Sequence, residues 1–244
     1  MRTIGIDLAV DASNTAAVGV AWDRGGAQVL DLRTRCTDDD VVELLSGLRS
    51  GERAGVDCPF GWPRAFTDAV AAHAHLRQWP GRGSGMAFYR KEMRLRLTDR
   101  RVYEETGKLP LSVAFDRLGA MAARWAQLAD EVEARTGSPI DRSGAGQIAE
   151  VYPAAACVRW GIVAPPSIDA VLRAAPWLSC ADADHDLCTR NRHCLDALLA
   201  ALVARALAVG RCDDVPAEDY MAAEVEGWIR MPRKGSGLAD LASA

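Results

Sequence analysis

Three β-prone runs crowd into the start of the chain: "TIGIDLAV" (3–10), "AAVGVAW" (16–22) and "AQVLDL" (27–32). The turn-rich spacers between them, "DASNT" and "DRGG", are far shorter than the roughly twelve residues that a parallel crossover needs. The runs therefore predict antiparallel hairpins. "TDDDVVELLSGLRSG" follows and predicts a helix, with Thr37 or Asp38 as N-cap, acids at its positive start and Gly51 as its stop. "RAGVDCPFGWP" then predicts a fourth strand that closes at Asp57 and is broken by Pro59, Gly61 and Pro63. Three antiparallel strands, a helix and another strand make an α/β fold with a mixed sheet.

Beyond this opening the pattern turns helical. Residues 61–144 read as a helical insertion, with Val113, Leu118, Met121, Trp125, Leu128 and Val132 at three-to-four spacing. "QIAEVYPAA" (147–155) resumes the strand pattern around Glu150, and Pro153 ends it. "RHCLDALLAALVARALAVG" (192–210) predicts a helix buried around most of its circumference, with His193 and Asp196 one turn apart. A last short strand is expected at "EGWIRMP" (226–232). Residues 1–232 then read as one domain, and 233–244 as a flexible tail.

Charge and composition remove several function classes. No apolar run reaches the eighteen residues or so of a membrane span. The net charge of −4 excludes a globally basic nucleic-acid binder, although residues 76–108 carry a local +5, with Trp79, Phe88, Tyr89 and Tyr103 among the bases. Seven cysteines at irregular spacing read as reduced thiols of a cytoplasmic protein.

Four acids stand where acids are awkward. Asp7 interrupts an apolar first strand, Asp57 closes the fourth, Glu150 lies within a later strand, and Asp196 sits in an apolar helix. Singly, each has a local explanation as a turn or cap residue. Together, on one sheet with the last helix packed on it, they would converge. Two bare charges at about 4 Å repel by ~4 kcal/mol at an effective dielectric of ~20, so such a cluster demands protons or cations. Hard oxygen donors select Mg²⁺ or Mn²⁺. Such ions suit phosphodiester hydrolysis, with water and not a side chain as nucleophile.

The succession of elements resembles the ribonuclease H-like fold. More narrowly, "IGIDLA", "GVDCPFGWP", "RLTDRR", "AEVYPAA", "HCLDALLAAL" and "EGWIRMP" resemble a family of predicted ribonuclease H-like nucleases filed as domain of unknown function 429. The resemblance covers residues 3 to 232. It implies a carboxylate set of Asp7, Asp57, Glu150 and Asp196 holding Mg²⁺ or Mn²⁺, with His193 assisting. It also implies that "RLTDRRVYEETG" faces the acids, so that Arg96, Asp99 and Arg100 form a phosphate-binding face. A solvated helix with internal ion pairs is the plain alternative for that segment. A nucleic-acid partner follows from the resemblance. DNA or RNA, endo or exo attack, one metal or two, and the oligomeric state (a homodimer is allowed) stay open.

Other signals carry less. Cys180, His185, Cys188, His193 and Cys194 match no familiar zinc spacing, and the acids around them fit a solvated loop. "GRGSG" (81–85) lacks the strand and Lys-Ser/Thr of a phosphate loop. Cys58 reads as a small buried residue. Two rival functions remain: a non-catalytic nucleic-acid or metal-binding module, and an actin-like or sugar-kinase-like phosphotransferase gripping phosphate with residues 11–15.

Overall fold

The computed structural model describes residues 1–242. β1 (Arg2–Asp7), β2 (Ala16–Trp22) and β3 (Ala27–Thr34) form an antiparallel meander. α1 (Asp38–Ser46) follows, capped by the Thr37 side chain, which accepts from the Asp40 amide while Asp40 reaches back to the Thr37 amide. It stops at Gly47, four residues before the expected Gly51. β4 (Arg53–Asp57) then runs parallel to β1.

The span between β4 and the next strand is helical: α2 (Arg64–Ala74), the three-residue α3 (Gly85–Ala87), a π-turn over Phe88–Glu92, α4 (Leu97–Thr106) and α5 (Leu118–Thr136). β5 (Ile148–Glu150) is parallel to β4. Pro153, which lacks the N–H that a strand would need, opens α6 (Pro153–Arg159). α7 (Ile168–Ala174), β6 (Leu178–Ser179), α8 (Asp182–Arg190), α9 (Arg192–Ala208) and α10 (Tyr220–Glu226) complete the order. The six-stranded mixed sheet runs β5-β4-β1-β2-β3-β6, with β2 antiparallel to both of its neighbours.

The sheet is covered on both faces. Alternation along β1 sends Ile4 and Ile6 towards α1 and α5, where Val41, Val42, Leu45, Trp125, Leu128 and Val132 are buried. The other face meets α9, whose alanines and leucines are buried almost throughout. α9 lies unusually close. A Cβ on Gly5 would sit 1.9 Å from the Ala197 carbonyl oxygen, and one on Gly55 would sit 2.5 Å from that of Ala200. Only glycine lets the helix backbone rest on β1 and β4 there.

Three expectations need correction. Residues 226–232 form no strand, only isolated bridges from Arg230 to Val151 and from Pro232 to Cys212. Their amides go elsewhere: Trp228 donates to the Arg142 carbonyl and Ile229 to Thr98 Oγ1. The acids expected in a solvated loop at 182–186 start α8 instead, where Asp182 and Asp184 suit the positive end of the helix dipole. The tail is docked: Leu238 and Leu241 are buried on a 3₁₀ turn, and Arg205 Nε donates to the Leu241 carbonyl. Residues 243–244 lie outside the described residues. No helix among the described residues is long and apolar enough to cross a membrane.

Candidate functional site

Parallel pairing of β1 with β4 puts Asp7 directly beside Asp57 in the ladder. Each lies two residues past a glycine that touches α9, at the Gly5-x-Asp7 and Gly55-x-Asp57 positions, so both side chains leave the sheet on the α9 face. The first two turns of α9 supply the rest. The Asn191 side chain caps the helix by accepting from the His193 amide at 3.0 Å. His193 Nδ1 and Asp7 Oδ2 are hydrogen-bonded at 2.6 Å, and Arg192 Nε donates to Asp196 Oδ2 at 2.6 Å. Asp196 Oδ1 is buried with no hydrogen-bond partner.

All three aspartates have raised pKa values, and burial is the first cause in each. Burial pushes Asp7 up to about 6, His193 pulls it back and the Asp196 charge adds to it. Asp57 is driven well above the carboxylate range by burial and then by Asp7, Asp196 and Glu150. Asp196 is raised by burial, against the pull of Arg192. A cavity of about 200 Å³ opens on Asp7 and Asp57, with Pro110, Leu111, Met121 and Tyr152 on its walls. Three carboxylates with one strong cation on them are electrostatically under-compensated, and such a site favours protons or a positively charged ligand.

Glu150 lines the same cavity, but Arg96 claims its carboxylate. In the ladder it is paired with Val56 and not with Gly55 or Asp57, so it leaves the sheet on the opposite face. Both of its oxygens are occupied. Arg96 Nη2 donates to Oε1 at 2.7 Å, Arg96 Nη1 to Oε2 at 2.8 Å, and the Phe60 amide to Oε2 at 2.9 Å.

The arginines of the expected phosphate-binding face have acidic partners within the chain. Arg96 is buried at the N-terminus of α4, where Asp99 accepts from its amide, from Nε at 3.2 Å and from Nη2 at 2.8 Å. Burial works against the Arg96 charge, yet Asp99 and Glu150 hold its pKa above the usual range. Arg100 turns to the Leu95 carbonyl and to Glu92. A guanidinium with buried acids waiting for it is taken up by the fold, and that is why Arg96 and Asp99 leave the surface.

Among the described residues, no group of three or more His, Cys, Asp or Glu side chains stands in the mutual arrangement of a metal cage. His185 pairs with Asp169, while Cys188 and Cys194 are buried in the core. All seven cysteines are free, and burial pushes the Cys58 thiol well above its ordinary range, which makes it a poor nucleophile. In the 11–15 turn the Thr15 hydroxyl is engaged by the Ala9 amide, the Asp11 carbonyl and Arg124. Sequence reasoning missed Arg192, Tyr152 and the two glycines. The repeated Gly-x-Asp in "GID" and "GVD" was the available signal.

The model of one protein family, described as "Protein of unknown function (DUF429)", matches residues 5–221. No curated protein and no solved structure matches the chain.

Proposed function

We propose that this chain, which belongs to the DUF429 family, is a divalent-metal-dependent hydrolase of nucleic-acid phosphodiesters, working from Asp7, Asp57 and Asp196. The observation that carries the reading is the side-by-side register of Asp7 and Asp57 with Asp196 brought over them by α9. The donor set suits Mg²⁺ or Mn²⁺: all the acids are hard oxygens, and one buried oxygen of Asp196 has no donor. A bound divalent ion would neutralise the cluster, lower the pKa of a water and offset charge on the leaving oxygen. Further support comes from the order of three antiparallel strands, helix, strand, insertion, strand and late acidic helix, which fits a ribonuclease H-like fold.

The chain's own residues would divide the work simply. Asp7 and Asp57 hold positive charge at the mouth of the cavity. His193, partly open to solvent at 41% side-chain exposure, orients Asp7 through Nδ1 and presents its other ring nitrogen for proton transfer. Glu150 and Arg96 brace the wall between β5 and α4.

Thermal melting with Mn²⁺ tests the site. The wild type gains Tm with Mn²⁺, and Asp57→Asn gains none. Hydrolysis of single-stranded, duplex and branched DNA and RNA tests the chemistry. A metal-dependent Tm rise without cleavage of any of them would leave a binding module. No Tm rise, or an equal rise in Asp57→Asn, would defeat the metal site itself.

A further inference from the structure

Between α2 and α4, residues 76–94 contain five Lys or Arg and one acid, Glu92. Glu92 is drawn to Arg100, and Arg94 is paired with Asp116. That leaves Arg77, Arg82, Arg90 and Lys91, all exposed, and among the described residues none of them has an ion-pair or side-chain hydrogen-bond partner. A run of unanswered cations in a chain of net charge −4 is a local field of the wrong sign for the rest of the molecule. It is the right sign for a polyanion.

Aromatic rings are built into the same segment. Trp79 and Tyr89 lie near-parallel, with centroids 6.4 Å apart and planes at 25°. Phe88 meets Tyr89 edge-on at 6.0 Å and packs so close over Gly81 that a Cβ there would sit 2.2 Å from its ring. The packing holds Tyr89 in place while leaving it 41% exposed. A fixed, open ring flanked by Arg90 and Lys91 suits a base stacked on the ring with its phosphates on the cations. A duplex hides its base faces and would use only the charges. The segment also runs straight into Arg96, at the wall of the cavity beside Asp7 and Asp57.

We infer that residues 77–91 form a platform that binds single-stranded nucleic acid. Its link to cleavage rests on the hydrolase reading above, but strand binding itself does not. Binding is therefore measured on the full chain with EDTA present, so that no metal-dependent step takes part.

Fluorescence anisotropy with labelled single strands of about 20 nucleotides, DNA and RNA, and with the matching duplexes, reads the affinity. Single strands are expected to bind more tightly than duplexes. Arg90→Glu with Lys91→Glu should weaken single-strand binding at least about tenfold and flatten its salt dependence. Arg77→Glu with Arg82→Glu, an independent pair, should do the same. Tyr89→Ala should weaken binding about tenfold with the salt slope unchanged. Lys234→Glu, exposed but outside the segment, is the charge control and should bind as the wild type does.

Wild-type affinity in both reversal pairs, equal affinity for duplex, or capture of phosphatidylserine vesicles without strand binding would overturn the platform. Strand binding lost in the reversal pairs, in a protein that cleaves nothing with Mn²⁺, would uphold the platform and remove the hydrolase reading.

Discussion

Asp7 shows what it takes to keep a carboxyl group almost wholly out of water. Its pKa of about 6, against an ordinary 3.8, means that the folded protein holds this proton more tightly than the unfolded chain does. The stabilisation is complete below about pH 4 and is lost as pH rises through about 6, a swing of roughly 3 kcal/mol. Metal-free wild type and Asp7→Asn should therefore melt at similar temperatures near pH 4. The variant should melt several degrees higher near pH 7, and a Tm gap that ignores pH across that window would contradict the assignment. Arg96 is the opposite case, a buried charge that the fold answers fully with Asp99 and Glu150. Arg96→Met strands both acids and should cost about 3–5 kcal/mol in urea unfolding. Adding Glu150→Gln should cost less than the two single losses summed, because one partner of the stranded pair is removed.

At the level of elements, the site depends on how closely α9 lies on β1 and β4. Gly5→Ala places a methyl group 1.9 Å from the Ala197 carbonyl oxygen, so α9 must move. We expect a loss of about 3 kcal/mol or more by urea unfolding, with a weaker Mn²⁺ response in the protein that still folds. Gly19→Ala, whose new atom would come no nearer than 3.6 Å to its neighbours, is the control and should cost little. The early elements were legible because alternation and turn residues are dense there. β2 spans 16–22 as read, and β4 closes at Asp57 as read. Glu150 was visible as an acid in a strand, but which face it takes depends on its pairing with Val56, and pairing leaves no mark in one sequence. Arg96 read as a phosphate-binding residue beside Asp99 and Arg100, because Glu150, the second acid that claims it, lies 54 residues away. The two-residue β6 is too short to carry a pattern.

Across the whole molecule, the last described segment closes the α9 side of the core. Leu238 and Leu241 are buried there, and the latter's carbonyl is held by Arg205. Leu241→Ala should cost about 2–5 kcal/mol in urea unfolding, whereas a free tail would lose almost nothing. The spacing of three in "GLADLASA" hinted at this docking, but its Gly and Ser content masked it. Distance along the chain has a further consequence. Asp7 meets a histidine 186 positions later, and the Arg64 amide, at the start of α2, is held by Glu226, 162 positions later. During synthesis the first two aspartates leave the ribosome long before their partners exist, so the emerging polypeptide cannot yet bring the acids together. Whatever chemistry the cluster performs is withheld from the cell until translation has passed the helix that carries His193 and Asp196.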